Sequence, residues 1–349
     1  MRVVCMVVGL ALATVAVSGS ALAQGASGAG GTVTVYSERD PSLVGGIFAT
    51  FQWTTGIRVN YVHVPKGVVD RMKADLPNSA YDVFLGNDVE QLMAAKSAGV
   101  TQPSSVASLI QSLPLEMKDK DGHWYALSRR IRVIVAAKDR VPADTISYED
   151  LADPKWRGRV CLRSGTHPYN VALVASMIAH QGRDKTRDWL AGVKANLARK
   201  PEGGDRDQIR GLHEGVCDLA VVNSHYLGRM MVPSAPADHR AWAQSVKLMF
   251  PNSAGRGVHV NISGIALGAK PANRENALRL MEFLGTAMGQ RIYVFSNAEY
   301  PAVTNYEPAP HLGAWGPFKA DPLPFADIVS HAKAAAELAT EVGFDTPTQ

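Results

Sequence analysis

Two long strand-like runs far apart in the chain, WYALSRRIRVIVAAK over 124–138 and HVNISGIALGA over 259–269, constrain the fold more than any other feature. Each is longer than an ordinary strand of about five or six residues, and each divides segments in which strand and helix signals alternate. Before the first run, TVTVYS (32–37), IRVNYVHV (57–64) and YDVFLG (81–86) read as strands, with helices expected over 43–54, 67–75 and 89–98. Between the two runs come GRVCLRS (158–164), helices over 169–181 and 186–198, the segment 205–215, and CDLAVVNS (217–224). Such alternation implies an α/β fold whose parallel sheets are covered on both faces. Two α/β lobes, joined by the two long strands crossing between them, would leave a cleft at the carboxyl ends of the shorter strands, where open α/β sheets bind ligands. The boundaries expected are 24–134 and 265–349 for the first lobe and 135–264 for the second, with a Pro-rich stretch over 301–323 and a final Ala-rich helix over 324–341.

The N-terminus places the chain in a compartment. Arg2 precedes an apolar run from Val3 to Val17, and Ala21-Leu22-Ala23 forms a small-residue cleavage site, the pattern of a secretory signal peptide over residues 1–23. No later stretch reaches the roughly 18 apolar residues of a membrane-spanning helix. An exported, periplasmic protein is therefore expected. The formal charge of +4 includes Arg2 and is mild, and no basic tract interleaved with aromatics stands out, so nucleic acid is not an expected partner. Of three cysteines, Cys5 lies in the leader, which leaves Cys161 and Cys217, each opening a strand-like run. In an oxidising compartment they read either as a disulfide between neighbouring strands or as two buried, inert thiols.

The run VVNSHYLGRMM sets His225 beside Tyr226 at the end of an apolar strand, with Arg229 one helical turn further on. The pair reads either as loop residues packing on each other or as ligands. Several stretches bear on the choice: YEDLADPKWRGRVCLRSGTHPYN, VVNSHYLGRMM, FPNSAGRGVHVNISGIALGAKPANRENALRLMEFL and EYPAV. In order and spacing, from about Val33 to Val303, they resemble the periplasmic ferric-iron-binding proteins of bacterial ABC uptake systems. The resemblance implies a Venus-flytrap periplasmic-binding fold that takes Fe(III) in its cleft and delivers it to an inner-membrane permease, as a monomer. It carries the family's adjacent tyrosine pair onto His225 and Tyr226, and a third tyrosine onto Tyr169. The first-lobe ligands fall near Asp40 and His63, where Asp40-Pro41 stands in place of the family's His-Tyr. Arg39, Arg130, Arg132 and Thr166 match the groups that hold a carbonate or similar anion.

The chemistry of that set can be argued from its side chains. Phenolate oxygen suits a hard ion such as Fe(III), but a free tyrosine ionises only near pH ~10, so the metal must displace the proton and affinity should rise with pH. Aspartate ionises near pH ~4 and supplies hard oxygen without that cost. A histidine in the pair makes the site less selective, leaving Fe(II) open beside Fe(III). Tyr169 reads equally as a packing residue at a helix start. Arg130 and Arg132, two apart on a strand, share a face; with Arg39 they read as donors to a planar anion or as partners of hinge carboxylates. The competing function is a binder of a small organic anion, an organophosphate or carboxylate, held by Arg39, Arg130 and Arg132 without metal. No nucleophile elbow, zinc-protease helix, Walker loop or dinucleotide fingerprint is present in the sequence, so an enzyme is not expected.

Overall fold

The computed structural model describes residues 30–303 and 306–346, and the expected leader lies outside them. Ten strands are present among these residues: β1 (Thr32–Ser37), β2 (Arg58–His63), β3 (Val83–Gly86), β4 (Thr101–Gln102), β5 (Tyr125–Ala137), β6 (Val160–Cys161), β7 (Leu219–Asn223), β8 (Val246–Met249), β9 (Val260–Gly268) and β10 (Tyr300–Pro301). Their main path runs β2-β1-β3-β9-β5-β7-β6. The βαβ units make β2, β1 and β3 parallel, whereas β9 returns from the second lobe and so lies antiparallel between β3 and β5. The sheet is therefore mixed and not parallel throughout.

β5 is the long crossing strand. Its first half pairs with β9 from Tyr125 to Ile131, and its second half pairs with β7 from Arg132 to Ala136 and with β8 from Ile134 to Ala137. A side chain near Arg130–Arg132 thus sits where the two halves meet. One apolar core gathers Val33 to Leu127 with Ile262 to Val303, and the other gathers Ile131 to Val260 with Tyr300 and residues from Ala309 to Phe344. Of the stretch after residue 265 expected with the first lobe, buried residues between Ala309 and Phe344 pack into the core that holds Ile131 to Val260. Helix Ala332–Glu341, which buries Ala335, Leu338 and Ala339, packs against helix Pro168–Gln181, whose residues from Val171 to Ile178 are all buried as helices Arg183–Ala195, Phe325–Ser330 and Ala332–Glu341 pack around it.

The Ala-rich helix expected as one piece is two, Phe325–Ser330 and Ala332–Glu341, with His331 between them. The first piece packs on helix Pro168–Gln181 and also on helix Val89–Ser97, and Phe325 adjoins both cores. β6 is far shorter than the expected 158–164, yet it brings the cysteines together: Cys161 and Cys217 are disulfide-bonded, with Cα atoms 5.9 Å apart.

Candidate metal centre

Three helices begin beside the second half of β5, and each contributes to one site. Helix Pro168–Gln181 carries Tyr169 in its first turn; Pro168 presets the entry, and His167 caps it by accepting from the Tyr169 N–H at 3.2 Å. Helix Ser224–Met231 follows β7 directly, so His225 and Tyr226 lie in a helical first turn and not in the loop that the sequence suggested. Gly228 lets this helix seat closely, since a Cβ there would stand 2.7 Å from a methyl of Leu312. Helix Asp205–His213 places Asp205 inside and the Arg206 guanidinium 5.0 Å from the Tyr226 ring centre.

The His225 and Tyr226 rings are 4.3 Å apart. His225 is buried, and its Nδ1 has no hydrogen-bond partner. Burial pushes its imidazole down to about 3, so it is neutral with a free ring nitrogen at ordinary pH. Burial also raises the Tyr226 phenol above its usual range, and the adjoining Tyr169 phenol raises it further. The Tyr169 oxygen accepts from Arg130 Nη1 at 3.2 Å, and the guanidiniums of Arg130 and Arg163 lie 5.3 and 5.1 Å from its ring centre. The two neighbouring phenols thus lie among the fixed positive charges of Arg130, Arg163 and Arg206, which would favour phenolate oxygen beside a bound cation.

Two of the three arginines assigned to an anion are already committed. Arg132 pairs with Asp205 at 3.0 Å and also donates to Asn170 at 2.6 Å and Asn223 at 3.3 Å. Arg39 pairs with Glu299 at 3.1 Å and donates to Asn297 at 2.6 Å and to Ser263. Glu299 also accepts from Ser128 on β5. Burial alone would raise the Glu299 carboxyl, but the charge of Arg39, foremost among its neighbours, holds it down to about 2. The physical reason is plain: a buried guanidinium needs a buried counter-charge, and the fold supplies one to each. Arg130 has no carboxylate partner among the described residues and remains available to an anion, donating otherwise to the Ile262 carbonyl.

The other assigned residues sit further out. Asp40 is exposed and caps helix Pro41–Thr55 by accepting from the Ser42 N–H at 2.8 Å; that bond lowers its carboxyl, helped by nearby Arg229 and His63. His63 ends β2 and is exposed. Thr166 is exposed and turned away, its hydroxyl 3.0 Å from Ser164 and 3.4 Å from Asp345, so the fold has engaged it with the C-terminal tail. Among the described residues no three His, Cys, Asp or Glu side chains gather as a metal site. Sequence reasoning missed Asp205, Glu299, Arg163 and Arg206; the only signal was the Gly-Gly-Asp helix start at 203–205, which is generic.

A family model of bacterial extracellular solute-binding proteins matches residues 78–320. Iron uptake protein A2 of Synechocystis sp. is 36% identical over 317 residues, covering 90% of each chain. Among solved structures, the Bordetella ferric binding protein superposes with a TM-score of 0.84 at 42% identity, over 90% of this chain and 100% of that one. A Trichodesmium protein in complex with iron and citrate ligands superposes with a TM-score of 0.84 at 34% identity, over 90% and 99%. With the family's two-lobed architecture and sequence likeness along most of its length, this chain belongs to the bacterial extracellular solute-binding proteins, in the periplasmic ferric-iron-binding family.

Proposed function

We propose that this protein is the periplasmic capture component of an ABC iron-uptake system, taking Fe(III) between its lobes and passing it to an inner-membrane permease. The observation that carries this reading is the pairing of the Tyr169 and Tyr226 phenols beside the unpartnered, neutral Nδ1 of His225. Tyr169 and Tyr226 bind as phenolates, and His225 adds a nitrogen that Fe(II) also tolerates. Carbonate or a similar small anion completes the shell against Arg130, the guanidinium without a carboxylate partner. Asp40 and His63 belong to the first-lobe side and reach the metal only as the lobes close. The protein acts as a monomer, performs no catalysis, binds no nucleic acid and loses residues 1–23 on export.

The relatives named for iron support this reading. Metal-free capture of an organic anion by Arg39, Arg130 and Arg132 is not favoured, because Arg39 and Arg132 already hold Glu299 and Asp205. Colour tests the proposal. Fe(III) added to the parent should produce a visible phenolate charge-transfer band, and Tyr226→Phe, which keeps the ring and loses the oxygen, should abolish it and lower affinity by at least about a hundredfold, judged from the tens- to hundredfold losses seen on altering even outer-shell partners. An unchanged band in that variant would remove Tyr226 from the shell.

A further inference from the structure

Residues Phe344 and Asp345 lie on the turn that precedes Tyr169. Phe344 is 1% exposed and lies against Gly165, where a Cβ would come within 2.7 Å of its ring. Lys194 binds on either side of Phe344, donating to the Val342 carbonyl at 3.0 Å and to the Thr346 side-chain hydroxyl at 3.2 Å. The Asp345 carboxylate that follows accepts from the Gly165 N–H at 2.8 Å, from the Ser164 hydroxyl at 2.6 Å and, more weakly, from Thr166 at 3.4 Å. One backbone donor and two hydroxyls thus converge on a single carboxylate.

The opposite side of that turn is tied to the metal centre. The Asn170 amide donates to the Arg163 and Ser164 carbonyls, each at 3.0 Å, while its oxygen takes Arg132 at 2.6 Å. Tyr169 lies between Asn170 and the His167 cap, so the turn's position sets where its phenol points. We infer that the turn Ser164-Gly165-Thr166 is a carboxylate cradle filled by the chain's own Asp345, and that Asp345 is thereby a positioning residue for Tyr169. The positioning half rests on the reading of Tyr169 as an iron ligand; the cradle stands on the hydrogen bonds alone.

Chemical rescue tests both halves. In Asp345→Ala, Fe(III) affinity measured by chelator competition should fall about tenfold, as expected for losing charge-assisted hydrogen bonds, and the charge-transfer band should move. Sodium acetate should restore both saturably in Asp345→Ala and neither in Tyr226→Phe. Asp345→Asn keeps the shape, loses the charge and should fall between parent and Asp345→Ala. Parent-like affinity and band in both Asp345 variants would overturn the inference, as would a loss that acetate does not reverse. The metal-free proteins give a separate reading: acetate should raise the thermal midpoint of Asp345→Ala and not of the parent. If the parent shows no band with Fe(III), the metal reading fails on its own, while absence of the acetate effect in metal-free Asp345→Ala overturns the cradle.

Discussion

Asp205 is buried at the start of its helix and accepts from Arg132 at 3.0 Å, Arg163 at 3.2 Å and the Asn223 N–H at 2.8 Å. Through these bonds it ties the start of the helix of Tyr226 to two guanidiniums around Tyr169. Asp205→Ala would leave Arg132 charged and unpaired in the core and should cost about 3–5 kcal/mol, read by denaturant unfolding. Acid should act through the same kind of group. His259 is held neutral by burial, its pKa falling from 6.5 to about 3, so the unfolded chain takes up a proton first and stability should decline as pH falls from about 6.5 to about 3. Glu299, lowered from 4.5 to about 2, is charged in the fold and adds a further loss between those values; the thermal midpoint followed against pH checks both windows. These partners were illegible in the sequence because Arg132 meets Asp205 across 73 residues and Arg39 meets Glu299 across 260. Tyr169 and Tyr226 were legible as candidates only through the resemblance to the ferric-iron-binding proteins, since a tyrosine in the first turn of a helix is by itself an ordinary packing residue.

Periodicity revealed the long elements and failed on the short ones. β5 and β9 were plain as long runs, because their β-branched and aliphatic residues recur over 13 and nine residues even though Arg129, Arg130 and Arg132 interrupt β5 and Asn261 and Ser263 interrupt β9. β6 was overread, since RVCLRS has strand character but Leu162 and the residues after it leave the sheet to reach the turn under Asp345. The break at His331 was missed because the Ala-rich run after it favours helix strongly and neither Pro nor Gly marks the boundary. The disulfide beside β6 closes a span of 56 residues, which the chain-entropy model values at about 4 kcal/mol. Cys161→Ser with Cys217→Ser should lower the guanidinium midpoint accordingly and leave the iron band in place, because neither sulfur belongs to the cleft.

At the scale of the whole molecule, the two cores are joined through β5 and β9, and Phe325 adjoins both. Bound Fe(III) should favour the closed arrangement by the difference between its affinities for closed and open forms. Small-angle scattering should then show compaction on loading, weakened by Asp40→Ala with His63→Ala; full closure and parent affinity in that double variant would exclude a first-lobe ligand.

Helix Phe325–Ser330 adds a second support away from the crossing strands, with Phe325 set against both cores. A body carried at one bearing can tilt and twist, whereas one carried at two separated bearings turns about the line between them. The metal-free protein should accordingly swing like a door and not wobble like a ball in a socket. Phe325→Ala removes one bearing: distances between spin labels on the two halves should spread in the metal-free state while the iron-loaded distance stays sharp.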